Sequence, residues 1–479
     1  MHFILPNYPS LLVVDRFDIL SFPNPTVPFW DILNALLSEP ITSISDLIDQ
    51  LESISFNLRG KSNTDYGFLR TFLESHWPAT ERFFTVFWPA AIKLALDMPT
   101  LFPGGEIECL SGENPQIVLS RRQVACLVVH QFLCSLPAQP WETDSSVDFH
   151  IWFTSEPPCA RAVEAYLQAL FSYFERLVGG SGGNSPSPLL ACSIAEWPVT
   201  FTLRSLPDTE MHLDDFYSSK FLPLKVIQLP EASTDPSVLG LPHGACVISA
   251  NKNVGFGCSG TQEETHVGSS PEACTAVLMM PTLKDTQVLI VRGAEAMISL
   301  KGYGREARLD KVLEPNYNEN TAMSIFSRRT MLFMDALELD MFDREELVPD
   351  LLPKHVEREM RKAITAFSAN PSGEARYSEI FTGLWGCGAF GGDWQIKTII
   401  QWCAAAVSGV NLYFICAGDQ QQAFAANLEQ FALSGLECGW TVGDVLRLLL
   451  RLDPQGSDAR NAFAHVISAV SHIDSFHLS

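Results

Sequence analysis

Positive charge is scarce in this sequence, which has 32 Lys and Arg residues against 55 Asp and Glu residues and a formal net charge of −23. Sequence-independent binding along DNA or RNA requires many basic contacts to phosphates, and this composition opposes it. The same excess argues against an anionic membrane surface as the principal partner. The charge therefore excludes a protein that wraps a polyanion, but it leaves open a pocket that binds one end of an anion.

Long apolar runs and paired cysteines are also missing. Residues 1–6 have neither the basic nor the apolar segment of a secretory signal, and no apolar run approaches the roughly 18 residues that span a bilayer. The 12 cysteines are scattered singly, and Cys126, Cys246 and Cys416 lie inside apolar runs. We therefore expect buried thiols rather than disulfides or a structural zinc site, in a soluble intracellular protein of the nucleus or cytoplasm.

The N-terminal part of the chain is predicted to be helical. Apolar residues recur at helical spacing in residues 80–97, 120–134 and 163–177. Pro89 is expected to kink or divide the first of these helices, and Ser120-x-x-Gln123 has the capping-box pattern that begins the second. Residues 179–188 are rich in Gly, Ser and Pro and predict a linker or surface loop. We place the end of a helical domain, residues 1–188, in that segment.

Residues 189–479 alternate short apolar runs with helical stretches. The runs predicted to be buried strands are residues 245–250, 276–280, 287–291, 330–337 and 410–416. The helical stretches are residues 354–367, 394–407, 421–433 and 442–450. Asp393 and Thr441 stand at expected N-cap positions. This alternation predicts an α/β fold with a parallel or mixed sheet, whose ligands bind in loops beyond the carboxyl ends of the strands.

The loop after the first predicted strand ends in two adjacent carboxylates, Glu263 and Glu264, and contains three glycines. Glycines let backbone N–H groups approach a phosphate or a ribose closely. Neighbouring carboxylates in a semi-enclosed site raise each other's pKa, so that one can stay protonated as a general acid. Thr261-x-x-Glu264 also fits a capping box, and the residues alone leave open a purely structural role for both carboxylates.

A second glycine-rich loop contains the literal dinucleotide pattern Gly386-x-Gly388-x-x-Gly391. Residues 379–382 before it are predicted to be a poor strand, and no acidic residue ends the next strand about 20 residues on, so an NAD site is disfavoured. An anion loop at a helix N-terminus, suited to a diphosphate, is favoured. A tight glycine turn with Asp393 as the N-cap is the structural alternative, and it is compatible with that role.

Both loops resemble those of the poly(ADP-ribose) glycohydrolase family. The first resembles the family's triple-glycine loop followed by Gln-Glu-Glu, and the second resembles the block that wraps the diphosphate. Further segments of this chain resemble segments of the family in the same order along the sequence, so the resemblance covers most of the chain. It implies a macrodomain-like three-layer α/β/α sandwich with a mixed sheet at residues 189–479, preceded by an N-terminal helical accessory domain.

The resemblance also implies a reaction and a set of site residues. Glu264 would be the catalytic acid and Glu263 would hold the ribose hydroxyls, in hydrolysis of ribose–ribose O-glycosidic bonds of poly(ADP-ribose), mainly from the chain terminus. The residues expected to bind the ligand are Asn251, Lys252, Gly255, Phe256, Gly257, Gln262, Tyr303, Gly386, Cys387, Gly388, Ala389 and Phe390. We expect no cofactor and no metal, poly(ADP-ribose) or ADP-ribosylated proteins as partners, ADP-ribose as product, and a monomer that reverses ADP-ribosylation, as in the DNA damage response.

Several positions depart from the family pattern. Ile248 stands where the family has an aspartate, and Phe256 replaces the middle glycine of the triple. Only the four residues 258–261 separate Gly257 from Gln262, where the family's spacer is longer. Each change removes expected ligand contacts, although both carboxylates are retained. The alternative function is therefore an ADP-ribose-binding macrodomain with little or no hydrolase activity.

Overall fold

The computed structural model describes residues 1–20, 26–61, 65–76, 83–178, 197–206, 213–314, 317–318, 323–342, 347–368 and 377–477. The segment 179–188 and the predicted boundary at residue 188 lie outside these residues. The chain divides into two compact units, and neither is one continuous segment. The helical unit comprises Met1–Phe201, Asn253–Thr282 and Arg292–Ser327. The sheet unit comprises Thr202–Lys252, Leu283–Val291 and Arg328–Ser479.

The helical unit contains most of the helices of the N-terminal part. Its α-helices are Phe29–Ser38, Ile44–Arg59, Gly67–His76, Trp88–Leu96, Met98–Leu101, Arg121–Phe132, His150–Phe153, Ala160–Val178, Gln262–Gly268 and Pro271–Cys274. Its strands are short and form antiparallel pairs such as His2–Ile4 with Glu106–Glu108 and Leu12–Val14 with Thr26–Pro28. The other strands of this unit are Gln116–Ser120, Ile298–Lys301, Arg308–Val312, Tyr317–Asn318 and Met323–Ser324. Strand Pro198–Ser205 contributes residues to both units.

Two local predictions for the helical unit are confirmed. Pro89 lies in the first turn of helix Trp88–Leu96, directly after the π-helical turn Phe83–Phe87, so the proline does divide the predicted helix. The Ser120 hydroxyl accepts the N–H of Gln123 at 3.2 Å, and the Gln123 side chain accepts the N–H of Ser120 at 3.0 Å. In the part of the chain that the structure describes, no helix is both long and apolar enough to cross a membrane.

The sheet unit is built around neighbouring strands in the order Gln287–Arg292, Thr330–Asp335, Ala245–Ala250, Glu379–Thr382, Asn411–Ala417 and Leu224–Leu229. The last five of these strands pair in parallel. The α-helices of the unit are Pro353–Phe367, Trp394–Ser408, Gln422–Glu437, Val442–Leu449 and Ala462–His477. Parallel strands require crossover connections, and helix Pro353–Phe367 lies between strands Thr330–Asp335 and Glu379–Thr382, as helix Trp394–Ser408 lies between Glu379–Thr382 and Asn411–Ala417. The predicted α/β fold is confirmed.

The centre of this sheet is buried on both faces. Strand Thr330–Asp335 is buried at every position, and Ala245–Ala250 at all positions except the partly buried Ser249. Such strands appear in sequence as short continuous apolar runs, which is why both were predicted within two residues. On the helical side of the core, the ring of Trp402 stacks on Phe221 with centroids 4.0 Å apart.

Two predictions of secondary structure are wrong. Residues 276–280 were expected to form a strand, but Thr275–Leu278 is a 3-10 helix that continues from helix Pro271–Cys274. Every residue there is buried, so the sequence has no periodicity that separates strand from helix. Residues 379–382, expected to be a poor strand, form strand Glu379–Thr382, which pairs in parallel with strands on both sides. Pairing with neighbours on both sides compensates for the weak local pattern of so short a segment.

Candidate active site

The two adjacent carboxylates lie on the first turn of helix Gln262–Gly268, in the helical unit. Thr261 is its N-cap: the Thr261 hydroxyl accepts the N–H of Glu264 at 3.4 Å. In return, Glu264 Oε2 accepts the N–H of Thr261 at 3.2 Å and its hydroxyl at 2.9 Å. The capping-box interpretation is therefore correct as a description of the local structure. It also means that the cap fixes the orientation of the Glu264 carboxylate.

The two carboxylates have different surroundings. Glu263 is 8% exposed, and its Oε1 accepts the N–H of Gly255 at 3.1 Å, which ties the loop to the helix. Glu264 is partly exposed. Its Oε2 also accepts the hydroxyl of Ser259, and its Oε1 lies so close to Gly257 that a Cβ added at that glycine would overlap it. Glu263 thus supports the loop, while Glu264 is the carboxylate that solvent can reach.

Side chains from the helical segments hold the backbone of this loop. The indole N–H of Trp152 donates to the carbonyl oxygen of Gly257 at 2.7 Å, and the hydroxyl of Tyr166 donates to that of Ser259 at 2.7 Å. Burial, followed by the charge of Glu264, raises the pKa of Tyr166 well above its usual value, so this phenol stays protonated as a donor. Sequence reasoning missed both residues, because a single aromatic about a hundred positions away leaves no local pattern.

Phe256, the residue that replaces a glycine of the family's triple, is accommodated by the core of the helical unit. Its ring is 4% exposed and lies 5.2 Å from the rings of both Phe149 and Trp152. The bulky side chain therefore points away from the surface, and the ring is not exposed for stacking on a ligand. The neighbouring Gly255 and Gly257 remain partly exposed.

Tyr303 lies beside the carboxylate loop. It directly precedes the 3-10 turn Gly304–Glu306 and is 50% exposed. The N–H of Gly304 donates to the carbonyl oxygen of Gly260 at 2.8 Å, which docks this turn on the loop. Burial, followed by the charge of Glu264, raises the pKa of Tyr303. The structure thus brings the predicted tyrosine into electrostatic range of the predicted acid.

The second glycine-rich loop belongs to the sheet unit and follows strand Glu379–Thr382. Gly386 and Gly391 have φ of 73° and 70°, a conformation that L side chains rarely adopt, and the N–H of Gly392 closes the loop on the carbonyl oxygen of Gly386 at 2.8 Å. The tip of the loop is exposed or partly exposed, and it consists of Cys387, Gly388, Ala389 and Phe390.

Asp393 caps the helix that follows this loop, as predicted, by accepting the N–H groups of Gln395 at 2.9 Å and Ile396 at 3.1 Å. A glycine loop that leads into a helix N-terminus suits an anion.

A buried lysine supports this loop from beneath. Lys397 Nζ donates to Glu359, lies 3.7 Å from Asp350 Oδ1 and sits 5.0 Å from the centroid of the Trp385 ring. A Cβ added at Gly392 would come within 2.7 Å of Lys397 Cε, so the lysine stem fills the space under the glycines. Sequence reasoning missed Lys397, because one lysine on a helix gives no sign that it is buried.

Asn251 and Lys252 directly follow strand Ala245–Ala250, at the carboxyl edge of the sheet. Lys252 Nζ lies 3.4 Å from Glu338 Oε1, and the next residue, Leu339, donates its N–H to the carbonyl oxygen of Phe390 at 2.8 Å. The segments after three neighbouring parallel strands therefore meet at one edge, as the fold class predicts. The charge of Lys252 is offset by Glu338.

The predicted site residues thus fall into two groups, one in each unit. The helical unit holds Gly255, Phe256, Gly257, Gln262, Glu263, Glu264 and Tyr303. The sheet unit holds Asn251, Lys252, Gly386, Cys387, Gly388, Ala389 and Phe390. Ile248, at the position of the family's aspartate, is fully buried in its strand. Its side chain is part of the core and not of the exposed loop edge.

Comparison with known proteins identifies relatives of both parts of the chain. The family model described as poly(ADP-ribose) glycohydrolase (PARG), macro domain fold, matches residues 237–424. The model described as poly(ADP-ribose) glycohydrolase (PARG), helical domain, matches residues 76–194. The chain is similar to poly(ADP-ribose) glycohydrolase 1 of Caenorhabditis elegans, with 28% identity over 325 residues that make up 66% of this chain and 38% of the relative.

Two further curated relatives extend this comparison. Poly(ADP-ribose) glycohydrolase 2 of Caenorhabditis elegans is 29% identical over 181 residues, which cover 36% of this chain and 37% of the relative. Poly(ADP-ribose) glycohydrolase 1 of Arabidopsis thaliana is 24% identical over 495 residues, which cover 85% of each chain. The matches to the two nematode proteins therefore span less than half of those proteins' length, whereas the match to the plant protein spans most of it.

Proposed function

The chain belongs to the poly(ADP-ribose) glycohydrolase family, and on that premise we propose that it hydrolyses ribose–ribose O-glycosidic bonds of poly(ADP-ribose) and releases ADP-ribose. One observation supports the proposal above others. The Glu264 residue is partly exposed, and its carboxylate is held by the capping box with Oε1 lying against Gly257. A fixed, accessible carboxyl group is what acid catalysis of glycoside hydrolysis requires.

In the proposed reaction Glu264 is the general acid. Its carboxyl proton passes to the oxygen that links the two riboses, the bond from C1 to that oxygen breaks, and the electron pair of the bond remains on the departing oxygen. Water then attacks the oxocarbenium-like C1 and returns a proton to the Glu264 carboxylate. One glycosidic bond and one water thus become two hydroxyl groups, and the acid is restored.

The neighbouring residues have supporting roles in this proposal. Glu263, whose Oε1 holds the N–H of Gly255 at 3.1 Å, would keep the loop in place and orient the ribose hydroxyls. The glycine-rich loop of residues 386–390 would bind a diphosphate through backbone N–H groups at a helix N-terminus.

We also propose that the enzyme takes the polymer mainly from its terminus. The net charge of −23 repels a polyanion along its length, whereas the glycine-rich loop suits one diphosphate without net positive charge. Binding of free ADP-ribose should then depend weakly on salt, because few phosphates are neutralised by basic side chains. Titration calorimetry between low and physiological salt measures this dependence, and a steep slope would contradict the proposal.

The decisive experiment is Glu264→Gln. Release of ADP-ribose from poly(ADP-ribose) should fall by about 10²- to 10⁴-fold, since that is the usual contribution of a general acid, while calorimetry should show retained binding of ADP-ribose. The matched control is Glu437→Gln, which neutralises an exposed carboxylate at the end of helix Gln422–Glu437 and should leave turnover unchanged. Turnover that survives Glu264→Gln would refute the assignment.

The second candidate is a binding module, and the burial of Ile248 favours it. The family's aspartate at that position is replaced by a side chain that is fully buried in the sheet unit. If the unaltered chain binds ADP-ribose in calorimetry but releases none from the polymer, the binding module replaces the enzyme as the function. If the chain does neither, both candidates are wrong.

A further inference from the structure

Oxygen Oε2 of Glu264 accepts three hydrogen bonds. The donors are the hydroxyl of Ser259, the hydroxyl of Thr261 at 2.9 Å and the N–H of Thr261 at 3.2 Å. The other oxygen, Oε1, faces the Cα of Gly257. The two oxygens of one carboxyl group are therefore in unlike positions.

This asymmetry determines where the acidic proton is carried. A proton on Oε2 would require the two hydroxyls to turn from donors into acceptors, and the N–H of Thr261 cannot do so. The favoured position for a proton on Glu264 is therefore Oε1, the oxygen beside Gly257.

We propose that Ser259 and Thr261 are positioning residues for catalysis, which assign the transferable proton to Oε1 and stabilise the charge left on Glu264 as that proton departs. The inference rests on the proposed role of Glu264 as the general acid. Negative charge grows on the carboxyl group only while the proton moves to the glycosidic oxygen, so the three donors bind the transition state more strongly than the ground state. They should therefore raise kcat and leave the affinity for ADP-ribose unchanged.

The donors around Glu264 are themselves held in place. The Tyr166 hydroxyl bonds the carbonyl oxygen of Ser259 at 2.7 Å, so the backbone that bears the Ser259 hydroxyl is anchored in the helical unit. Thr261 is fixed as the N-cap of helix Gln262–Gly268. Both hydroxyls lie in the four-residue spacer 258–261, and this short spacer brings Ser259 close enough to reach the acid.

The test removes each hydroxyl with little change in shape. Ser259→Ala and Thr261→Val should each lower kcat for ADP-ribose release by about 10- to 100-fold, somewhat less than the loss of a direct transition-state donor. KM and the Kd for ADP-ribose should stay within about 2-fold, because these donors act on the transition state. Thr261→Ser, which keeps the hydroxyl, should restore most of the rate.

Comparison of kcat with Tm separates positioning from simple support of the helix. Ser259→Ala and Thr261→Val should lower kcat by far more than their loss of Tm accounts for, whereas simple capping would lower Tm alone. The matched control is Thr441→Val. Thr441 caps helix Val442–Leu449 with the same geometry, its hydroxyl donating to Asp444 Oδ2 at 2.7 Å. This control should lower Tm and leave kcat unchanged.

Each outcome decides between the possible roles. If the unaltered chain releases no ADP-ribose, the proposed function is wrong, and the inference, which depends on it, is wrong as well. If the unaltered chain is active and folded Ser259→Ala and Thr261→Val keep its kcat, the inference alone is wrong. If kcat and the affinity for ADP-ribose fall together in both variants, the hydroxyls support the site as a whole and not the transition state, and the inference is again wrong.

Discussion

The indole N–H of Trp152 donates to the carbonyl oxygen of Gly257 at 2.7 Å. Trp152 is completely buried, and Gly257 is the residue against which Glu264 Oε1 lies. This hydrogen bond therefore connects the aromatic core of the helical unit to the backbone that borders the proposed acid. Because the donor belongs to a rigid core residue, the position of Gly257 depends on how that core is packed.

Replacing Trp152 should lower turnover by more than the accompanying loss of stability accounts for. Trp152→Phe keeps an aromatic ring in the core but deletes the N–H, which should cost about 1–3 kcal/mol for the unsatisfied carbonyl and the lost volume. We expect kcat to fall about 10-fold, because Gly257 and the adjacent Glu264 lose their support. The measurements are urea unfolding and ADP-ribose release.

Trp402→Phe is the matched control for that variant. Trp402 is also buried, and its N–H donates to the carbonyl oxygen of Leu222 at 2.9 Å within the sheet unit. It should lose a similar amount of stability without a change in kcat. Equal effects of the two substitutions on kcat would show that Trp152 has no particular role in supporting the acid loop.

Gly257→Ala should inactivate the protein while leaving it folded. The added methyl group would overlap Glu264 Oε1, so the carboxylate must turn away from its position. The matched control is Gly112→Ala, where an added Cβ meets nothing within 4 Å. Circular dichroism should report the same fold for both variants, and only Gly257→Ala should lose ADP-ribose release. Full activity of Gly257→Ala would mean that Oε1 need not face this glycine.

Lys397→Ala should destabilise the sheet unit and weaken ADP-ribose binding. The substitution removes the cation that Glu359 and Asp350 share, but Arg358 still pairs with Glu359, so the cost should not exceed the roughly 3–5 kcal/mol typical of a broken buried pair. Burial, the largest effect on this group, already raises the pKa of Asp350, while the charge of Lys397 opposes that rise. The stem of Lys397 also fills the space under Gly392, so its loss should loosen the loop.

A double variant separates charge from shape in that test. Lys397→Ala with Glu359→Gln removes one charge of each sign, and urea unfolding should show that it recovers part of the lost stability. Calorimetry with ADP-ribose should show weak binding in both Lys397 variants, because neither restores the lysine stem. Equal stability of the single and the double variant would contradict the buried charge pair.

His130 should make stability depend on pH. Burial lowers the pKa of His130 to about 4, and its ring nitrogens bond the Ser135 hydroxyl at 2.7 Å and the Ala95 carbonyl oxygen at 3.1 Å. In the unfolded chain the group titrates near its ordinary value of about 6.5. Between these two values the unfolded state binds a proton that the folded state does not, so the stabilising contribution is complete above about pH 6.5 and is lost as pH falls toward 4.

The comparison of unaltered protein with His130→Gln isolates this effect. The difference in their free energies of unfolding should shrink on acidification by at most about 1.4 kcal/mol per pH unit. Urea unfolding at intervals between pH 4.5 and 7 measures it. Parallel stability curves for the two proteins would show that protonation of His130 is not linked to folding.

Much of the local structure could be predicted because it depends on residues close in sequence. The capping boxes at Ser120, Thr261 and Thr441 follow from one residue and its partner three positions on, and all three are present. The central strands appear as short apolar runs, and the α/β fold follows from their alternation with helices. The predicted domain boundary at residue 188, the monomeric state and the location in the cell stay predictions.

The parts of the structure that could not be predicted depend on contacts between residues that are far apart in the sequence. Thr275–Leu278 became a 3-10 helix because its uniform burial leaves no periodic pattern, and Glu379–Thr382 became a strand because it pairs with neighbours on both sides. The inward direction of the Phe256 ring follows from its contacts with Phe149 and Trp152, which lie about a hundred residues away. No local pattern encodes such contacts.

The sequence by itself determined which chemistry is available: two adjacent carboxylates after one strand, a glycine-rich loop before a helix, and a net charge that opposes binding along a polyanion. Only the tertiary structure decided how the two carboxylates differ. Glu263 is buried against the loop, whereas Glu264 is partly exposed with three donors on one oxygen and Gly257 beside the other. Adjacent identical residues acquire unlike roles because burial and hydrogen-bond geometry depend on residues brought together by folding.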